Sequence, residues 1–288
     1  MSLHTEGAGG TREAEVVQHY GIENLEEKIL RALEAAGKSR NSLTLDDLAG
    51  VDEFHVGGRE ATEALAAQLP LRTGMKLLDI GSGIGGPARY FASQHGCDVT
   101  GVDLTAEFVR TARALTSRVA PQLAVRFEQA SAMELPFAPE SFDGAYVLHV
   151  GMNIADKRKL FAEVHRVLRG GGWLAMFEMM RTGEGELGFP VPWASSSAES
   201  FVATAAEYQE ALARAGLTIT AHRDRRQYAI EFLERMLARN QQPGPKPLGV
   251  SFLMGETAPL KMKNVMEGMR RALISPVELI ARAEHTRT

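Results

Sequence analysis

The sequence predicts an α/β fold: a parallel sheet with helices on both faces, preceded by a helical extension. Three observations carry this. From about Leu71 onward, short apolar runs alternate with amphipathic helical stretches. The first run ends in the glycine-rich turn Gly81-Ser82-Gly83-Ile84-Gly85-Gly86. The second ends on an acidic residue, Asp103, at the interval of about 20 residues found when a carboxylate faces the ligand of such a turn.

The elements follow in order. Residues 1–11 are polar and glycine-rich and are expected to be disordered. Residues 12–36 predict a helix, with Val16, Val17, Tyr20, Leu25, Ile29, Leu30 and Leu33 at roughly helical spacing and Gly37 closing it. Residues 45–48 add a short helical turn, and 58–69 a second helix stopped by Pro70. Strand and helix then alternate: strand 75–80, helix 87–95, strand 98–102, helix 106–118, strands 123–129 and 142–149, helix 156–168. Gly170-Gly171-Gly172 predict a tight turn before strand 173–179. Residues 181–200, rich in Gly, Pro and Ser, are long for a strand–helix connection and mark a lid. Helix 203–215, strand 217–222, helix 230–239, an irregular proline-rich stretch 241–248, helix 261–273 and a last strand 277–283 complete the chain. The expected organisation is a disordered tail and helical cover over 1–70, and a sheet domain over 71–288 with lid segments near 181–200 and 230–273.

Composition narrows the function. Of 288 residues, 44% are hydrophobic, enough for a large core, and Lys plus Arg total 32 against 36 for Asp plus Glu. A net charge of −4 argues against a nucleic-acid partner. The run Arg223 to Arg226 is interrupted by Asp224 and reads as a solvated strand end. Cys97 is the single cysteine, a small buried filler, so neither an intrachain disulfide nor a cysteine-based metal cluster is available. The histidines lack metal-ligand spacing, so no metal is expected. No apolar run approaches a membrane span, and the N-terminus lacks a hydrophobic signal region. The expectation is a cytoplasmic protein, monomer or homodimer, without a membrane partner.

Glycines after a strand let the backbone turn tightly and approach a ligand closely. With Asp103 they suit a nucleoside whose ribose hydroxyls donate to the carboxylate, and a nicotinamide dinucleotide carries a similar signature. Asp79, ahead of the first glycine, stands where dinucleotide folds usually carry a small or apolar residue. Downstream come Leu135-Pro136-Phe137, Ser141-Phe142-Asp143 and Arg166-Val167-Leu168-Arg169-Gly170-Gly171-Gly172. This ordered series resembles the class I S-adenosylmethionine-dependent methyltransferases, over roughly residues 71–222. The flanks resemble sarcosine/dimethylglycine N-methyltransferase-like proteins at Asp52-Glu53-Phe54-His55, Gly58-Arg59-Glu60-Ala61-Thr62, His149-Val150-Gly151-Met152-Asn153-Ile154-Ala155-Asp156-Lys157, Pro190-Val191-Pro192-Trp193-Ala194 and Pro247-Leu248-Gly249.

The resemblance implies a Rossmann-like sheet of seven strands, the last antiparallel. It implies S-adenosyl-L-methionine as cofactor and a small-molecule methyl acceptor, foremost an amine nitrogen of the sarcosine or dimethylglycine kind. An oxygen or carbon acceptor is the alternative within that fold. A nicotinamide-dependent oxidoreductase, or a non-catalytic binder of the nucleoside cofactor, is the alternative outside it. The resemblance also assigns roles. Asp79, Gly81, Ser82, Gly83 and Gly85 form the turn under the methionine part, with Gly58 nearby. Asp103 holds the ribose, Leu104 the adenine face, and Ser131, Ala132 and Met133 the adenine pocket. Many relatives carry an acidic residue where Ser131 stands.

His149, at the end of the fourth strand, is a candidate to orient the acceptor, take its proton or pack beside the adenosine. His55 is either a second catalytic or substrate group or a hydrogen-bonded surface histidine. Asn153 either binds substrate or caps the helix starting near Asp156. Met152 and Trp193 are substrate-side candidates, Trp193 alternatively anchoring the lid.

Overall fold

The computed structural model describes residues 6–240, 249 and 251–284. Its N-terminal helices are α1 (Glu6–Tyr20), α2 (Leu25–Ala35), α3 (Leu45–Leu48) and α4 (Gly58–Ala66). They are followed by β1 (Lys76–Ile80), α5 (Gly86–His95), β2 (Asp98–Asp103), α6 (Ala106–Val119), β3 (Val125–Gln129), β4 (Phe142–Leu148) and α7 (Lys157–Val167). Then come β5 (Leu168–Arg181), α8 (Ala205–Arg214), β6 (Leu217–Asp224), α9 (Arg226–Asn240), α10 (Ser251–Met254), α11 (Ala258–Arg270) and β7 (Ile274–Ala283). The seven strands lie in the order β3-β2-β1-β4-β5-β7-β6. β1 to β5 pair in parallel, and β7 runs antiparallel to both β5 and β6. This is the Rossmann-like sheet with flanking helices that the sequence predicts. Its strand order reverses between β1 and β4, which opens a crevice at their carboxyl ends.

Alternation along the strands feeds two cores. Leu78, Ile80, Val147 and Leu174 pack with α7 and α8, while Leu77, Val99, Tyr146 and Trp173 pack with α4 and α5. A third cluster, including Met152, Met179, Trp193, Leu233 and Val265, joins the carboxyl end of the sheet to α9 and α11. A fourth ties α2 and α3 to α6 through Leu25, Ile29, Leu48, Phe108 and Leu115. Among the described residues no helix is long and apolar enough to cross a membrane.

Several expectations change. The helix expected over 12–36 is two helices, because Asn24 takes φ 55 and the Leu25 N–H donates to Glu107 Oε1 at 2.9 Å rather than continuing a helical ladder. Disorder expected over 1–11 gives way at Glu6, where α1 starts. Once the packed turns downstream exist, each further residue fixes few torsions per hydrogen bond gained. Gly170-Gly171-Gly172 is no free turn but a bulge inside β5. The register with β4 jumps from Phe142↔Leu168 to Gly144↔Trp173 because both flanking residues stay paired. Arg223 and Arg225 are not simply solvated: both bind Glu278, which is 2% exposed on β7. The expected irregular stretch 241–248, with Pro247-Leu248, lies outside the described residues.

Candidate functional site

The crevice holds a cavity of about 430 Å³. Its floor is the turn after β1. Gly83 has φ +52, and a Cβ there would meet nothing within 4 Å, so the backbone faces open cavity. Asp103, at the end of β2, steadies the turn: its Oδ2 accepts from Gly83 N–H at 2.9 Å and its Oδ1 from Thr105 N–H at 2.8 Å. Each carboxylate oxygen keeps a second lone pair for a ligand hydroxyl. Burial raises the Asp103 carboxyl above its ordinary range, and these two N–H bonds oppose that. Asp79 lies deeper, 2% exposed, and its Oδ2 has no hydrogen-bond partner. Burial holds its carboxyl well above the usual range. Ser82 Oγ is likewise buried and unpartnered.

The wall opposite is Leu104, Ser131, Ala132 and Met133. Two glycines assigned to the ligand are absent from the cavity lining. A Cβ on Gly85 would strike Phe127 at 2.4 Å, so that glycine seats β3. Gly58 opens α4 beside Glu53 and is absent from the cavity lining. At Gly86 a Cβ would meet Asp52 O at 2.1 Å, so the N-terminal segment presses directly on the start of α5. Arg89, fully buried, locks it there, donating to Asp52 Oδ2, Ile84 O and Thr116 Oγ1, each at 2.9 Å.

That segment roofs the cavity. Glu13, Val16 and Tyr20, at i, i+3 and i+7 on one face of α1, line it with Phe54 and His55. Ser131 Oγ donates to Glu13 Oε1 at 2.5 Å, so a carboxylate from α1 reaches the end of the cavity where Ser131 stands. Glu13 and Tyr20 were not singled out from sequence. Their available signal was a polar group repeated on the face of α1 that carries Val16.

Beyond the roof a second, inner chamber of about 70 Å³ opens. Tyr20, Phe54, His55 and His149 line both spaces. The remaining lining is carbon and sulfur: Met152, Met179, Trp193, Phe232, Met262 and their neighbours on α9 to α11. Trp193 is 4% exposed, and its Nε1 donates to Ser200 Oγ at 2.9 Å, so it both lines the chamber and anchors the lid.

The two histidines differ. His55 is buried, not a surface residue. Its Nε2 contacts Glu53 Oε2 and Thr62 Oγ1 at 3.1 Å, and its Nδ1 faces Val56 O at 3.3 Å. Both nitrogens are therefore committed to neighbouring oxygens. Burial pushes the Glu53 carboxyl up, but His55 and Arg59 outweigh that and leave it lowered. His149 makes no side-chain hydrogen bond among the described residues, and its Nε2 is buried without a partner. Burial, then the neighbouring His55, holds its imidazole well below the ordinary histidine range, so it is neutral.

His149 sits at φ 55, an uncommon backbone state for such a residue. The loop it starts is clamped from both sides. Glu178 on β5 accepts from Val150 N–H at 3.0 Å and Gly151 N–H at 2.9 Å. Lys157 Nζ donates to Gly151 O at 2.8 Å, Phe201 O at 2.9 Å and Ile154 O. Asn153 in this loop lines the outer cavity and accepts from Tyr20 Oη at 3.4 Å. It does not cap α7; Asp156 does, accepting from Lys159 N–H.

Residues 78–176 match the family described as a methyltransferase domain. Residues 78–176 are a class I methyltransferase domain. Within the curated proteins, the chain is 32% identical over 134 residues to the O-methyltransferase resE of Aspergillus sclerotiorum, covering 46% of this chain and 51% of that protein. It is 35% identical over 108 residues to the sterol methyltransferase-like 1 of Botryococcus braunii, covering 38% and 28%. The first of these matches thus spans about half of its relative's length.

Among solved structures, a protein put forward as a sarcosine dimethylglycine methyltransferase from Galdieria sulphuraria gives a TM-score of 0.63 at 18% identity, covering 78% of this chain and 85% of that one. The phosphoethanolamine N-methyltransferase 2 of Haemonchus contortus gives 0.66 at 21%, covering 90% and 60%. The [4+2]-cyclase SpnF gives 0.61 at 20%, covering 93% and 97%. At such identities these likenesses concern the fold.

The methyltransferase domain contributes Asp79, Gly81 to Gly83, Asp103, Leu104, Ser131 to Met133, His149, Met152 and Asn153 to the two cavities. Glu13, Tyr20, Phe54 and His55 reach the site from before the domain, and Met179, Trp193, Phe232 and Met262 from after it.

Proposed function

We propose that the protein transfers a methyl group from S-adenosylmethionine to a small molecule held in the inner chamber. The observation that carries this is the buried Asp79 carboxyl, its Oδ2 without a partner, beneath the open Gly81–Gly83 turn. A dinucleotide would bring its pyrophosphate to such a turn, against a buried acid. A methionine moiety instead offers an ammonium and a sulfonium. Asp103 stands ready for the ribose hydroxyls, and Leu104, Ala132 and Met133 for the adenine, with Ser131 and Glu13 at its polar edge. The cofactor supplies a methyl group already activated on sulfur.

What remains for the chain is alignment and exclusion of water. The segment before residue 71 and the 181–200 connection act as a cover: Tyr20, Phe54 and His55 stand over the boundary between the two cavities, and Pro192 and Trp193 close the inner one. A sarcosine or dimethylglycine acceptor would bring a carboxylate, and among the described residues the inner chamber offers it no basic side chain. The lining supports a less polar acceptor.

Calorimetric titration with S-adenosylmethionine, S-adenosylhomocysteine and NAD tests the reading. The two adenosyl ligands should bind and NAD should not. Asp103→Ala should weaken them roughly tenfold to a hundredfold, the worth of hydrogen bonds to a charged group. Binding of NAD in their place would overturn the assignment.

A further inference from the structure

We infer that the methyl acceptor is an apolar molecule bearing one neutral hydroxyl, its body among Phe54, Met152, Met179, Trp193, Phe232 and Met262 and its hydroxyl against His149. This rests on the methyl-transfer reading above and adds the substrate class.

The lining decides the class. Among the described residues no Lys, Arg, Asp or Glu lines the inner chamber, so an ion entering it would lose its hydration without gaining a partner from them. Of the polar side chains there, Tyr20 is bonded to Asn153, Trp193 Nε1 to Ser200, and both His55 nitrogens face oxygens of Glu53, Thr62 and Val56. His149 is the one polar ring left without a side-chain partner among the described lining residues. A neutral imidazole offers a lone pair, which a hydroxyl donor satisfies and a hydrocarbon does not. Methionine and aromatic walls adapt to the outline of an apolar body.

Position agrees with chemistry. His149 lines both cavities and its Nε2 is closed off from them, so a hydroxyl meets the ring at Nδ1, at the opening toward the transferable methyl group. The acceptor oxygen forms its bond to the methyl carbon as the carbon–sulfur bond breaks. Sulfur keeps the bonding pair, and the hydroxyl proton passes to a ring nitrogen of His149. The strained backbone at His149, clamped through Val150 and Gly151 by Glu178, fixes where that nitrogen lies.

The test uses the full chain saturated with S-adenosylhomocysteine, titrated calorimetrically with 4-ethylphenol and 2-naphthol, their methyl isosteres 4-ethyltoluene and 2-methylnaphthalene, and dimethylglycine. At least one phenol should bind tenfold or more tighter than its isostere, and dimethylglycine should not bind. His149→Gly, which tolerates the positive φ and carries no side-chain acceptor, should erase the preference for the hydroxyl. Phe232→Lys, on α9 and away from the outer cavity, should weaken each phenol that binds at least tenfold and leave S-adenosylhomocysteine affinity unchanged. Isotope from labelled donor should appear on the phenol oxygen with the unsubstituted protein. Failure to bind S-adenosylhomocysteine would sink the methyl-transfer reading and this assignment together. Normal binding of it, followed by dimethylglycine binding, by no hydroxyl preference or by no phenol binding, would overturn this assignment alone.

Discussion

The two ends of the site are built by different means. The floor and one wall of the outer cavity are made by the ends of consecutive strands: β1 delivers Asp79 and the glycine turn, β2 Asp103, and the segment after β3 Ser131 to Met133. Strand register alone brings them together, since Asp79 pairs with Gly101 and Asp103 with Gln129. The inner chamber is made by helices and connections from far apart in the chain, Tyr20 on α1, Phe54 before α4, Trp193 in the 181–200 connection, Phe232 on α9 and Met262 on α11. The first end carries the acidic groups and its floor is fixed by the sheet. The second is apolar and fixed only by how added segments pack on it. One fold can therefore keep its cofactor end while its acceptor end changes.

The strongest way to break this contrast is at the turn. Gly83→Val should abolish S-adenosylhomocysteine binding, because a branched side chain at φ +52 is strained and fills the cavity. Its circular dichroism should match that of the unsubstituted protein. A folded valine variant that binds normally would remove the turn from the cofactor site.

The joint between the two ends is the next target. Arg89→Met leaves Asp52 buried without its cation, and breaking such a pair costs about 3–5 kcal/mol. Burial already raises the Asp52 carboxyl against the pull of Arg89. Urea unfolding should shift to a lower midpoint, and Asp52→Asn in the same chain should recover part of the loss. An unchanged midpoint would mean that the N-terminal cover contributes little to the stability of the sheet.

The contrast also explains what could be read from sequence. Strand–helix alternation, the glycine turn and Asp103 are local signals, so the sheet and most of the outer cavity were legible. Gly85 was misassigned because a glycine needed for close packing against Phe127 looks the same as one needed for a ligand. The inner chamber was largely hidden. Its methionines and aromatics have the spacing of core residues, and only the angle at which α9 and α11 meet the sheet decides whether they fill space or enclose it. Tyr20 and Glu13 were hidden because their partners, Asn153 and Ser131, stand more than a hundred residues away along the chain. His149 was visible at a strand end, but its lack of a hydrogen-bond partner is a property of three dimensions.

Glu178 sharpens the comparison, since the loop it clamps serves both ends. Burial pushes its carboxyl up to about 7 from 4.5, against the two N–H bonds it accepts. The folded protein then binds a proton here that the unfolded chain has released. Stability from this group is present at low pH and falls as pH rises from about 4.5 through about 7, by roughly 1.4 kcal/mol per unit within that window. Glu178→Gln removes the titration. The stability of the unsubstituted protein minus that of the variant, from urea curves at pH 5, 6 and 7.5, should therefore shrink as pH rises. Parallel curves would show that this carboxyl does not titrate in that window.

The smallest expected effect lies where the cover meets the outer cavity. Ser131 stands where many class I relatives carry an acid, and Glu13 brings a carboxylate to it from α1. An adenine presents an exocyclic amino group, a donor that a carboxylate receives better than a hydroxyl does. Glu13→Gln keeps an acceptor oxygen but removes the charge, so S-adenosylhomocysteine affinity should fall only about twofold to tenfold. The decisive measurement is a ratio. S-inosylhomocysteine carries a carbonyl in place of the amino group and would set that oxygen against the carboxylate. The unsubstituted protein should prefer the adenosyl ligand, and Glu13→Gln should narrow the preference. Glu13→Gln combined with Ser131→Asp should restore it, because the acid is then supplied by the domain itself. An equal loss for both ligands would mean that Glu13 holds the cover closed without reading the base. No loss for either would mean that α1 leaves Ser131 when the cavity is filled, and the boundary between sheet-built and cover-built halves would then run inside the roof of the outer cavity.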